Sequence, residues 1–222
     1  MRKNIWINVV LILGLLSSVV LANEAFELQK NWPSVLDLDV RNFEGNLVYL
    51  NVDSMNASLA YNDFEPLNNP FWGFSYGSYM KTAPHTNINF GVYSNQLFKS
   101  SQKGAKKASF SLQSVGIQMT RDFTKDSFSL TPKAGVGFSI GNLALMHKKS
   151  DNIYEEPREV LAKGFYVSGF LGLNMNYNFN QIIGINATGE IIGGYKLFTP
   201  IKDLDSYKGY KLGLGFVITM PL

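Results

Sequence analysis

Few side chains in this chain offer chemistry. His147 is followed closely by Ser150 and Asp151, and imidazole, hydroxyl and carboxylate are the groups an acyl-transfer site needs as base, nucleophile and orienting acid. The only other histidine is His85, and there is no cysteine. That absence excludes disulfides, thiolate metal sites and thiol nucleophiles together. Four charged residues, Lys133, Glu190, Lys196 and Lys211, share the polar parity of alternating segments with Asn174, Asn176, Asn178, Asn186 and Thr188. A cationic run holds Lys99, Lys103, Lys106 and Lys107, a pattern able to meet phosphates or an acidic surface. Gly135, Gly137 and Gly141 lie within a strand pattern rather than at a strand-to-helix turn, so they cradle no phosphate. Neither a metal nor a cofactor is expected.

The elements that must position these residues are strands. Beyond Gly45 the chain alternates with period two and is rich in Gly, Asn, Ser and aromatics. From Phe165 to Phe179 one face carries Phe165, Val167, Gly169, Leu171, Leu173, Met175, Tyr177 and Phe179, and the other Tyr166, Ser168, Phe170, Gly172, Asn174, Asn176 and Asn178. Tyr210 to Leu222 and Ser127 to Ile140 repeat the pattern. Aromatics at both ends of an apolar face, aliphatics between them and small polar residues opposite fit a lipid-facing band around a narrow lumen. Strands are expected at 46–61, 71–81, 86–98, 108–123, 127–147, 164–179, 182–198 and 207–222. Their connections alternate long and short, with long ones at Asn62–Pro70, Lys99–Lys107, Lys148–Lys163 and Thr199–Ser206. The fold class is therefore all-β: a closed antiparallel up-and-down transmembrane β-barrel of about eight strands, long loops outside and short turns in the periplasm. Ten strands is the alternative, if Asp53–Asn56 turns and Val35–Val40 supplies a strand. A face switch near Gln113-Ser114 predicts a bulge, because Phe110 and Leu112 are out of phase with Val115, Ile117 and Met119.

Arg2 and Lys3, the apolar run Ile5–Leu21 and the small-residue pattern before Asn23 form a secretory signal peptide over 1–22. Its removal leaves 18 of the 20 basic residues against 17 acidic ones, a net of +1, so no nucleic-acid partner is implied. Residues 23–45 are expected to be a periplasmic leader and 46–222 the barrel.

Lys211, Gly213, Phe216 and Ile218 in the last strand resemble the C-terminal insertion signal of bacterial outer-membrane proteins, although Leu222 stands where many members end in an aromatic. With the signal and the strand count, the chain resembles the small OmpA/OmpX/opacity-type barrels from about Gly45 to Leu222, without a peptidoglycan-binding domain. The resemblance implies a Gram-negative outer-membrane address, recognition by the barrel-assembly machinery and contact with outer-membrane lipids, lipopolysaccharide among them. His147 with Ser150 also distantly resembles the site of lipid A deacylases, but there the serine follows two residues after the histidine on one face. Here the spacing is three, which in a strand sends the two to opposite faces. His85 falls at the opposite end of the barrel from His147, so they share no site. The reading is an outer-membrane barrel with a plugged polar lumen, in which the inward charges pair, and with a structural or surface-interaction role through external loops. A lipid A-modifying hydrolase or acyltransferase and a narrow channel are the alternatives.

Overall fold

The computed structural model describes residues 38–81, 88–150, 153–154, 159–198 and 204–221. Within them run β1 (Leu38–Leu50), α1 (Asp53–Tyr61), β2 (Phe71–Lys81), β3 (Asn89–Lys103), β4 (Lys106–Thr120), β5 (Phe128–Ser150), β6 (Glu159–Asn178), β7 (Ile183–Phe198) and β8 (Ser206–Pro221). Each strand pairs antiparallel with its sequence neighbours, and β1 pairs with β8, closing the sheet on itself. Closure removes the exposed strand edges that would otherwise invite pairing with other chains. Two short pieces, Phe123–Lys125 and Ile153–Tyr154, pair with β5 only.

Register sets the barrel's dimensions. Partners followed once around from Asp39, through Met80, Phe90, Met119, Ala134, Leu171, Ile191 and Tyr210, return to β1 at Tyr49. The circuit climbs ten residues, so the strands are strongly tilted, and eight tilted strands leave an interior that side chains can fill. Along β6 the outward face from Tyr177 to Phe165 spans about 30 Å at a rise of ~3.3 Å per residue and a tilt of ~40°, the thickness of a bilayer core.

The faces are inverted relative to a soluble barrel. Outward Leu171, Ile191 and Leu214 are 65%, 68% and 72% exposed, part of an apolar belt that runs around the wall. Asn174, Thr188, Glu190 and Lys211 are buried inside. An apolar exterior of that extent is stable in lipid and not in water. Trp72 and Tyr210 mark the external edge of the belt, and Phe128 and Tyr177 its periplasmic edge. No described helix is long and apolar enough to cross a membrane; the strands do so.

Four sequence expectations need correction. The first strand, expected at 46–61, already runs from the first described residue, Leu38, so 38–45 belong to the barrel and not to a leader. Asp53–Tyr61 is helical and Val40 is part of β1, which rules out the ten-strand alternative. No bulge occurs at Gln113-Ser114, where the register is unbroken to both neighbours. Finally, Lys99–Lys107 is not a long loop: β3 and β4 continue to a two-residue turn in which Gly104 takes φ +57, a backbone state open to glycine without strain. The expected signal peptide, the leader over 23–37, His85 and Asp151 lie outside the described residues.

Pro132 sits in β5 without an N–H to donate. Its carbonyl accepts from Arg121 N at 3.0 Å, so the missing donor faces the side on which β4 has just ended. The ladder loses little there.

Candidate functional site

The lumen is built in two tiers. At mid-depth β1, β5, β7 and β8 bring Glu44, Lys133, Glu190 and Lys211 together. Lys133 Nζ lies 2.6 Å from Glu190 Oε1 and 3.7 Å from Glu44 Oε1; Lys211 Nζ lies 2.8 Å from Glu190 Oε2 and 3.5 Å from Glu44 Oε2. Side-chain exposure is 7% or less for all four. Two carboxylates and two ammoniums alternate, so the ring is neutral as a whole and each charge has two opposite neighbours. That arrangement offsets the desolvation cost which a lone buried charge would carry.

Neutral donors complete the ring. Glu44 Oε1 accepts from Asn186 Nδ2 at 2.8 Å and from Thr188 Oγ1 at 2.6 Å, and its Oε2 accepts from Ser75 Oγ at 2.8 Å. Lys211 Nζ also donates to Ser75 and Asn95. Space for the ring comes from two glycines. A Cβ on Gly172 would stand 2.5 Å from Glu190 Cγ, and one on Gly213 would stand 2.4 Å from Asn46 Oδ1. Voids of only about 30 and 20 Å³ remain in this region, each room for a water or two.

Above the ring the lumen becomes apolar. Ser114, Ser139 and Tyr207 form a hydroxyl chain at 2.6 and 2.9 Å, and Tyr93 packs edge-on to Phe170. Beyond them Val48, Leu50, Phe71, Leu97, Phe110, Leu112, Leu143 and Tyr166 face inward and form one cluster with Met55 and Leu59 of α1 and with Phe64 and Leu67 after it. The first external segment thus folds into the mouth as a cap. Nine residues make only a marginal helix alone, and α1 has no side-chain cap. It is held by Met55 and Leu59, one turn apart and buried on the barrel side.

Polar contacts fasten this cap. Leu67 N donates to Asn56 Oδ1 at 2.8 Å, and Leu50 N to Asn69 Oδ1 at 2.9 Å, with the amide nitrogens returning bonds to Leu67 O and Leu50 O. Lys103 and Lys106 reach Asp63 at 2.8 and 3.1 Å, and Lys99 donates to Pro70 O at 2.9 Å. Hydrogen bonds from Lys103 and Lys106, reinforced by their charges, hold the Asp63 carboxyl below its ordinary range.

The sequence-based sites divide accordingly. Lys133, Glu190 and Lys211 meet in the ring. Lys196 does not: it stands at the external end of β7, 2.8 Å from Asp205, with its side chain 37% exposed. At that height the interior is apolar and has no place for an unpaired ammonium. Of the basic run, Lys99, Lys103 and Lys106 are engaged with the cap, and Lys107 is half-buried on β4. His147 pairs in register with Lys106, and the backbone is irregular between Lys148 and Ser150. The side chains of His147 and Ser150 and the whole of Asp151 lie outside the described residues. Two features escaped the sequence reading. Glu44 falls in the expected leader, although the alternation of Asn42, Glu44 and Asn46 against Phe43, Gly45 and Leu47 marks it as inward. The cap itself left no periodic trace.

The periplasmic mouth is an open vestibule of about 430 Å³ whose lining includes Tyr79, Lys81, Asp122, Asn176 and Asn178. Asp122 accepts from Thr131 Oγ1 at 2.8 Å and pairs with Lys81 at 3.4 Å. No group of metal-ligating residues occurs among the described residues.

No protein-family model matches the chain, and no curated protein does. Among solved structures it is similar to a major outer membrane protein from Thermus thermophilus (TM-score 0.51, 8% identity, 82% of this chain and 99% of that one). It is also similar to Ail, the attachment invasion locus protein of Yersinia pestis, in complex with the heparin analogue sucrose octasulfate (0.47, 15%, 82% and 99%), and to Neisserial surface protein A (0.42, 13%, 82% and 96%). At such identities the likeness is one of fold. The chain has the fold of the small outer-membrane β-barrels.

Proposed function

We propose that this protein is a non-conducting outer-membrane barrel. Its filled lumen makes a rigid mount for external segments that contact lipopolysaccharide or an external surface. The observation that carries this reading is the double closure of the lumen: the neutral Glu44–Lys133–Glu190–Lys211 ring at mid-depth and the apolar cap at the external mouth. A diffusive channel would need both displaced. Lipid contact is supported by exposed Lys163 and Lys208 near the external ends of β6 and β8, where ammoniums can meet phosphorylated headgroups. The test is planar-bilayer conductance of refolded protein whose insertion is verified by its heat-dependent gel mobility. The expected result is silence, and reproducible conductance steps would overturn the reading.

A further inference from the structure

The wall of β3 and β4 interrupts the apolar belt. Outward positions on β3 read Phe90, Val92, Ser94, Gln96, Phe98, so a hydroxyl and an amide lie between apolar residues above and below. The register partner of Gln96 on β4 is Gln113, with Val115 and Ile117 on one side of it and Ser111 on the other. Ser94, Gln96 and Gln113 are exposed, and neither amide bonds to another described residue. The neighbouring wall carries large side chains instead: Trp72 and Phe74 on β2, Phe138 and Ile140 on β5. The result is a strip of uncharged polar side chains between two apolar ridges.

Each primary amide brings two donors and two acceptor lone pairs. Acyl chains can meet neither, so polar groups left in contact with them are costly. Pairing between Gln96 and Gln113 of one chain uses only part of that capacity. The strip bears no charge, so an anionic headgroup finds no counterion in it. Amides are self-complementary, however, and a two-fold axis brings a patch against its own copy. We propose that this strip is a homodimer interface. Two barrels meet β3–β4 against β3–β4 about an axis along the membrane normal, and Gln96 and Gln113 of each hydrogen-bond to those of the other.

The natural absence of cysteine makes the test direct. Ser94→Cys and Ser111→Cys leave both glutamines in place at the edges of the strip, whereas Leu214→Cys marks β8, across the barrel. Each variant is treated in native outer membranes with a short bifunctional maleimide, and heat-dependent gel mobility verifies folding. The Ser94 and Ser111 variants should link mainly as dimers, and the Leu214 variant should stay monomeric. Adding Gln96→Leu with Gln113→Leu to the Ser94→Cys chain should reduce the dimer at least tenfold. Monomers throughout, equal linking at Leu214, or linking indifferent to the glutamines would overturn the proposal. So would loss of a co-purifying lipid from the Gln→Leu variant when no dimer forms at Ser94 or Ser111.

Discussion

Replacing Lys211 by methionine keeps most of the side-chain volume and removes one ammonium from the ring. Glu44 and Glu190 then share Lys133 alone, at 3.7 and 2.6 Å, inside a lumen with water-sized voids. Glu44 keeps its bonds from Asn186, Thr188 and Ser75, so the excess charge falls mainly on Glu190. Breaking one partner of a buried pair costs about 3–5 kcal/mol. With m near ~2 kcal/mol per M, the urea midpoint of the barrel in lipid vesicles should fall by about 2 M. Adding Glu190→Gln restores neutrality and should recover at least ~1.5 kcal/mol, a coupling of the size expected between residues of one network. The readout is the fraction that keeps the folded gel mobility across a urea series. A midpoint within ~0.25 M of the parent, or a double variant whose loss equals the sum of the singles, would refute the idea that the four charges act as a unit.

Met55→Ala should cost about 2–4 kcal/mol of cap docking by leaving a cavity under α1, seen as faster amide exchange at Met55–Leu67 with β6 unchanged. Deleting 53–68 should still give no bilayer conductance, because the charged ring closes the lumen below the cap; ion flow in that variant would show that the cap alone is the seal. The Asp63 clamp has a defined pH sense. Its folded pKa lies below the ordinary 3.8, so its contribution is complete above that value and is lost as pH falls through the lower folded value. Protease nicking between Tyr61 and Pro70 should therefore stay slow at neutral and mildly acid pH and speed up only below about pH 4. Asp63→Asn should be nicked faster at neutral pH, with no such acid step. His147→Ala and Ser150→Ala should leave lipid A acylation as in the parent strain, checked by mass spectrometry of extracted lipid A.

Closure and strand count were legible because the lipid face and the lumen face differ in polarity over most of the chain, most cleanly along β6 from Val167 to Tyr177. The same signal misled where the lumen turns apolar. Phe110 and Leu112 face inward beneath the cap, while Val115 and Ile117 face outward into lipid. The apolar parity therefore changes side without any change in backbone register. Periodicity reports which face is greasy and not which face is inside. The start of β1 was hidden for the complementary reason: Asn42, Glu44 and Asn46 are polar because they face the polar tier of the lumen, which made a spanning strand resemble a periplasmic leader. The cap was illegible because its helix is short and its two anchors, Met55 and Leu59, acquire meaning only once the barrel supplies their partners. Lys133, Glu190 and Lys211 could be assigned to the lumen by parity, but their convergence at one level depends on the ten-residue climb of the register around the wall, which no single strand encodes.

The central claim, an apolar wall in lipid around a filled lumen, is most directly tested by a nitroxide accessibility scan of single-cysteine variants along β6 from Val167 to Asn176 in bilayers. Val167, Leu171, Leu173 and Met175 should collide with oxygen dissolved in the lipid and not with a water-soluble nickel complex, while Ser168 and Asn174 should be reached by neither. Nickel accessibility at the odd positions would contradict the membrane-facing wall, and nickel accessibility at Ser168 and Asn174 would contradict the filled lumen.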